Sequence, residues 1–203
     1  MITLPASEAN PGSIRDVERA SIQQFLQAQG EYIRGRVLDF GCGRQPYRSL
    51  VESFGAEYHG YDRAANPGSV TQGEDIGDDY LLEQTWDVVL TTQTIQYQRL
   101  SPHRDDPMRE EWSPLLDFMW QITWMCGAHQ EDEGRANHHG VLIMTYPVAW
   151  DIVEKDDYFR PTPSGVEDLL KAEGMQVLVH ERRAEVDCNG FKFPLGYGVV
   201  ARA

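Results

Sequence analysis

Two acids and a glycine turn are the first candidates for chemistry. The stretch Val37-Leu38-Asp39-Phe40-Gly41-Cys42-Gly43-Arg44-Gln45-Pro46-Tyr47 reads as an apolar run, an acid, a glycine turn and a helix start. Glycines let the backbone take positive φ and let a ligand approach closely. A turn at the C-terminal end of a strand is where open α/β sheets bind ligands. The Asp39 carboxylate can attract an ammonium group there, directly or through a water. Some twenty residues on, Tyr58-His59-Gly60-Tyr61-Asp62 ends a second run in an acid, a spacing at which a carboxylate takes ribose hydroxyls. A carboxylate accepts two hydrogen bonds from a vicinal diol. Plainer alternatives stay open: a tight βα turn at Gly41–Gly43, and at Asp62 a turn residue opening the loop to Gly68. Gln45 stands where a dinucleotide fingerprint would carry its third glycine.

Other residues could handle a proton or an acceptor. Tyr97, His103, Tyr146 and Tyr158 follow or end apolar runs. His103 titrates near neutral pH, and Tyr146, beside Pro147, is expected at a pocket mouth. For each, a surface or packing role is the competing reading. Arg160 can bind an acidic group or pair with Asp156 or Asp157. His138-His139 has no ligand spacing, so no metal is expected. The run Trp112, Phe118, Trp120, Trp124 and Met125 reads as a core-facing helix with a dimer contact, against the alternative of an aromatic substrate box. Cys42, Cys126 and Cys188 are odd in number and scattered, which points to neither a disulfide framework nor a zinc site. Cys42 reads as a small buried packing residue.

The elements that must position these residues alternate in type. Residues 1–12 read as a loose arm. The spacing of Ile14, Val17, Ile22, Phe25 and Leu26 predicts a helix over 13–29, capped by Ser13 and ended by Gly30. Strands are expected at 36–40, 57–61, 86–91, 140–147, 175–179 and 197–201. Helices are expected at 47–54, at 113–127 behind Ser113-Pro114, and from Thr162-Pro163 to Gly174. Strands alternating with helices imply a Rossmann-like, doubly wound, mostly parallel sheet. The last two strands have no helix between them and are expected to form an antiparallel edge hairpin. The polar segments 98–112 and 128–139 read as long loops.

Composition narrows the classes. The 203 residues fit one domain, and 41% apolar with 25% charged residues is an ordinary globular balance. No apolar run reaches the ~20 residues of a membrane span, and Met1–Gly12 lacks a secretory pattern, so a cytoplasmic location is expected. The net charge of −14 argues against nucleic acid as a partner, since that affinity comes from neutralising phosphates.

The 37–47 loop, the Tyr61-Asp62 strand end and Trp86-Asp87-Val88-Val89-Leu90 together resemble the class I S-adenosylmethionine-dependent methyltransferases. More narrowly, Gly41-Cys42-Gly43 before Pro46-Tyr47-Arg48, with Asp157-Tyr158-Phe159-Arg160, is similar to the methyltransferase type 11 group. The resemblance runs from about Gly35 to Ala203 and implies S-adenosylmethionine as cofactor. It implies that Asp39, Gly41 and Gly43 contact the methionine part, that Phe40 and Gln45 also line the cofactor site, and that Asp62 takes the ribose. Asp75 (or Glu74) would meet the adenine amino group, Ile76 the ring, and Thr92 and Gln93 the floor. Tyr146 and Arg160 become substrate-side candidates. Three departures stand out. Gln45 replaces a glycine, Gln96-Tyr97 stands where this group often has Glu-His, and Gln130–His139 is acidic where a basic Pro-Gly-Gly stretch is usual. The implied function is methyl transfer to a small-molecule or glycan-like acceptor. The alternative is a binding or regulatory module that kept the fold without transferase activity.

Overall fold

A computed structural model of the chain describes residues 1–5, 8, 11–62, 81, 83–98, 113–129, 139–148 and 160–203. Among them the elements run β1 (Ile2–Pro5), α1 (Pro11–Ala28), β2 (Arg36–Phe40), α2 (Arg48–Ser53), β3 (Glu57–Tyr61), β4 (Val88–Thr92), α3 (Pro114–Met125), β5 (Val141–Pro147), α4 (Pro163–Ala172), β6 (Gln176–Cys188) and β7 (Phe191–Arg202). One seven-stranded sheet has the order β1-β6-β7-β5-β4-β2-β3. β7 is antiparallel to both β5 and β6, and every other pairing is parallel. The Rossmann-like sheet and the C-terminal hairpin are both present.

Side-chain alternation divides the sheet into two cores. All seven residues of β5 are buried, as expected of a central strand covered on both faces. Leu38, Val89, Leu142, Met144 and Val199 face α3 and α4, where Phe118, Met119, Ile122, Val166 and Leu170 meet them. Val37, Val88, Leu90, Ile143 and Val200 face the other way, towards Ile22, Phe25 and Leu26 of α1 and Val51 of α2.

Four expectations change. Ile2–Pro5 is not a loose arm but a parallel edge strand on residues 184–187 of β6, with Leu4 buried. Four residues ending in proline carry too little alternation to read as a strand. Ser13 is not the cap of α1. The helix begins at Pro11, since proline lacks only an N–H that the first turn leaves unpaired, and the Ser13 hydroxyl donates to Glu8 O at 2.5 Å. α1 also stops at Ala28, and Gly30–Tyr32 forms a 3-10 turn. Finally, β6 and β7 are 13 and 12 residues long, well beyond the two short strands expected. Register shifts around Val177–Val179 and Arg182–Glu185 break the period-2 pattern, and charged residues sit inside: Glu185 is buried, with Lys192 at 2.8 Å and Thr3 at 3.1 Å.

α1 is fastened to this hairpin by a buried ion pair. The Arg183 guanidinium donates to Glu18 Oε1 at 2.5 Å, Ser21 Oγ at 3.0 Å, Tyr146 O at 3.2 Å and Tyr197 O at 2.7 Å. It fits because residue 196 is glycine: a Cβ there would lie 2.1 Å from Arg183 Nη2 and 2.6 Å from Tyr146 O. Gly196→Ala is therefore expected to lower unfolding free energy by about 3 kcal/mol, within the range for overpacking and for disturbing a buried pair. Urea denaturation checks this, and a change below about half a kcal/mol would mean the guanidinium is not held as described.

Candidate functional site

The site grows from the parallel pairing of β2 with β3, which brings Asp39 beside Gly60 and Phe40 beside Tyr61. The Phe40 and Tyr61 rings stack at 5.2 Å. Beyond Phe40 the chain turns over the end of β3. Gly41 N and Cys42 N both donate to Tyr61 O, at 2.8 and 3.0 Å. Gly43 N then donates to Asp62 Oδ2 at 2.7 Å. The glycine turn and the second acid, distant in sequence, are thus one hydrogen-bonded unit. Gly41 has φ +82°, and a Cβ on it would meet Thr94 Oγ1 at 2.5 Å, so the turn also abuts the segment after β4. Gln45 takes φ +56°, the left-handed conformation that favours glycine. The turn keeps its shape at the departure from the glycine pattern, with some backbone strain.

Asp39 is fully buried on the α1 side of the sheet. Its Oδ2 accepts from the Tyr58 hydroxyl at 2.6 Å, while Oδ1 is buried with no hydrogen-bond partner among the described residues. Burial pushes the carboxyl up to about 7; the Tyr58 hydrogen bond opposes this and the Asp62 charge adds to it. A buried acceptor oxygen without a donor is costly, and a cationic ligand group would remove that cost.

The floor lies at the end of β4. Thr92 is half-buried, and Gln93, at φ +56°, donates its backbone N–H to Thr145 O at 2.9 Å. The 3-10 turn Ile95–Tyr97 follows. Gln96 is buried there, its Nε2 donating to Gln93 O at 2.7 Å and its Oε1 left without a partner among the described residues. Tyr97 is half-buried at the end of this turn.

Tyr146 is not at a pocket mouth. Its side chain is buried in the core under α4, stacked on Tyr197, because β5 alternation turns it inward. Its hydroxyl meets His180 Nε2 at 2.6 Å, and His180 Nδ1 meets Glu167 Oε1 at 2.8 Å. Burial raises the Tyr146 phenol well above its ordinary value, so it is a weak proton donor tied into a carboxylate–imidazole–phenol chain. Nothing in the spacing of Tyr146, Glu167 and His180 announces this chain. Glu18 and Arg183 were also missed, since a helix acid and one arginine of a pair look like surface residues.

Arg160 is half-buried just before α4. Cys42 is buried, as expected of a packing residue. In α3 the aromatic run divides. Phe118 and Met125 enter the core, whereas Trp120 and Trp124 stack at 5.0 Å on the outer side with His129. Asp75, Ile76, Glu74, His103 and Tyr158 lie outside the described residues.

The raised Asp39 carboxyl has a consequence for stability. Its folded-state value, about 7, is above its unfolded value of 3.8, so ionisation disfavours the native state. Stability is lost as pH rises from about 4 to about 7 and levels off beyond. A gap of about three units corresponds to on the order of 4 kcal/mol. Asp39→Asn is expected to flatten this segment of the stability–pH curve. Chemical denaturation at pH 4 to 8 checks it, and an Asn variant that parallels the wild type would refute the assignment.

Neither a protein-family model nor a curated protein sequence matches the chain. Solved structures do. A SAM-dependent methyltransferase from Archaeoglobus fulgidus superposes with a TM-score of 0.58 at 15% identity, covering 91% of this chain and 94% of that one. Magnesium protoporphyrin IX methyltransferase from Synechocystis PCC 6803, with bound SAM, gives 0.55 at 13% identity, covering 96% and 85%. The Burkholderia thailandensis 1,6-didemethyltoxoflavin-N1-methyltransferase, with 1,6-didemethyltoxoflavin and S-adenosylhomocysteine bound, gives 0.56 at 14%, covering 92% and 77%. With its sheet order, its antiparallel C-terminal hairpin and its glycine turn at the strand ends, the chain has the class I S-adenosylmethionine-dependent methyltransferase fold.

Proposed function

We propose that the protein is an S-adenosylmethionine-dependent methyltransferase acting on a small-molecule acceptor, with a glycan-like acceptor as the narrower reading. One observation carries the proposal: the glycine turn, the Asp62 carboxylate and the open Oδ1 of Asp39 gather at the same strand ends. The set matches the cofactor's polar groups. An ammonium suits Asp39, and a vicinal diol suits the Asp62 oxygen not already accepting from Gly43. Two neighbours that carry SAM or S-adenosylhomocysteine share this fold, a magnesium protoporphyrin IX methyltransferase and a 1,6-didemethyltoxoflavin-N1-methyltransferase. Asp75 and Ile76 remain proposed adenine contacts, and Arg160 a proposed acceptor contact.

The cofactor supplies a methyl group already activated by positively charged sulfur. The chain's contribution is placement, and holding reactants in line can supply several kcal/mol. Asp39 and Asp62 would fix the two ends of the ligand. Gly41 and Gly43 let the backbone come close between them. Thr92 and Gln93 would support it from β4. Gln96 presents a buried, open Oε1 one turn further, suited to orient an N–H or O–H of the acceptor. A base is needed only if the acceptor must lose a proton near the transition state.

Calorimetry should find that the wild type binds both SAM and S-adenosylhomocysteine. Asp62→Ala is expected to weaken both by about tenfold or more, as befits loss of charge-assisted hydrogen bonds. Labelled methyl transfer into a metabolite pool would then separate an enzyme from a binder. A wild-type protein that binds neither nucleoside would end the proposal.

A further inference from the structure

Position 58 on β3 packs into the α1-side core with Val37, Val51 and Val88, a place an aliphatic residue would fill. It carries a tyrosine instead. A buried phenol is costly unless its hydroxyl finds a partner, and Tyr58 donates to Asp39 Oδ2 at 2.6 Å. Gly60 makes this reach possible. Gly60 is the register partner of Asp39, and Tyr58 lies two residues back on the same face of β3. A Cβ at position 60 would meet Tyr58 Cε1 at 3.2 Å, Cys42 Sγ at 3.0 Å and Gln45 Nε2 at 2.9 Å. The bare strand therefore leaves the ring free to lie towards Asp39, with its edge beside two side chains of the glycine turn. Arg48 holds the ring as well: its guanidinium stands 5.6 Å from the ring centroid and donates to Gln45 Oε1 at 3.3 Å.

The hydroxyl occupies one carboxylate oxygen and leaves the other. Asp39 Oδ1 is buried with no hydrogen-bond partner among the described residues. The other titratable groups acting on Asp39 or Tyr58 are Asp62 at the end of β3, Cys42 in the turn, and Tyr47 and Arg48 at the start of α2. β4 brings Leu90 beside Asp39, and α1 brings Ile22, Phe25 and Leu26 to the same core, its Glu18 acting on Tyr47 as Arg183 of β6 does. Burial holds the Asp39 carboxyl near 7, and the Tyr58 hydrogen bond is what opposes it. A donor on a carboxylate favours its charged form, the form an ammonium requires.

We propose that Tyr58 is a positioning residue for the cofactor: by taking Oδ2 of Asp39 it leaves Oδ1 to receive the α-ammonium of the methionine portion. The inference rests on the cofactor reading above and adds a residue that does not itself touch the ligand. When the ammonium arrives, a protonated Asp39 gives its proton to solvent, so binding of the amino-acid tail is coupled to pH.

Calorimetry from about pH 5.5 to about pH 8.5 with two probes tests it. S-adenosylhomocysteine carries the ammonium; 5′-methylthioadenosine keeps the nucleoside and lacks the amino-acid tail. In the wild type, S-adenosylhomocysteine is expected to tighten by up to about tenfold per pH unit as pH rises towards 7 and to level off above it, the linkage of one proton released. 5′-Methylthioadenosine is expected to stay flat. Asp39→Asn should abolish the rise. Tyr58→Phe keeps the ring and removes the donor. At neutral pH it is expected to weaken S-adenosylhomocysteine by about tenfold, the size of one charge-assisted hydrogen bond, and to leave 5′-methylthioadenosine unchanged, which also reports that the variant is folded. The rise should move to higher pH, so that the loss shrinks at the alkaline end. Should Tyr58→Phe fail to fold, a ring-fluorinated tyrosine at position 58, a stronger donor of nearly the same shape, is expected to move the rise to lower pH. Unchanged S-adenosylhomocysteine affinity in Tyr58→Phe, equal losses for both probes, or a loss of one size at every pH would overturn the role of Tyr58 while leaving the cofactor reading intact. A wild type that binds neither probe would overturn the cofactor reading itself.

Discussion

One carbonyl governs the geometry of the strand ends. Tyr61 O accepts from two successive amides, Gly41 and Cys42, and so decides where β2 stops being a strand. The turn cannot lift away from β3 without leaving both donors unpaired. Gly43 therefore arrives over Asp62, and Gly41 arrives against Thr94 with no room for a side chain. The shared acceptor holds the ends of β2 and β3 together, and Gly41 lies against Thr94 just past β4. Glycine is required at position 41 by contact as well as by torsion, whereas Gln45 shows that torsion alone is tolerable for another residue.

The polar interior on the α1 side follows a second logic. Tyr58 and Arg183 each satisfy half of a buried carboxylate, and neither completes the task. Such half-satisfied groups work against the folded state and persist where something else completes them. The Tyr146–His180–Glu167 chain on the opposite face differs in kind. One of its contacts links α4 to β6 and the other β6 to β5, and its tyrosine is enclosed in the core. It ties a helix to the sheet.

Much of the fold could be read before any coordinates. The run Val37–Gly43 and the acid at Asp62 declare themselves, because a short apolar strand ending in glycines has few other uses and both signals are local. β5 and α4 were equally plain, the latter with Thr162 accepting from Gly165 N as its cap. What escaped was non-local. Ile2–Pro5 becomes a strand only because β6 offers an edge. The long hairpin is obscured by register shifts that change which face a residue meets. Glu18 and Arg183 look like surface charges until α1 is laid across β7, and a 165-residue separation hides the partner of each.

The same separation bears on how the molecule reaches this state. β1 pairs with β6, and Thr3 touches Glu185 across 182 residues. A loop that long must close before any of those contacts forms, and non-local pairings of this kind slow folding. A ribosome releases β1 and α1 long before β6 exists. Until then the apolar side of α1 can rest on β2, β4 and β5, whereas Glu18 within it lacks Arg183 and β1 lacks the strand edge it joins.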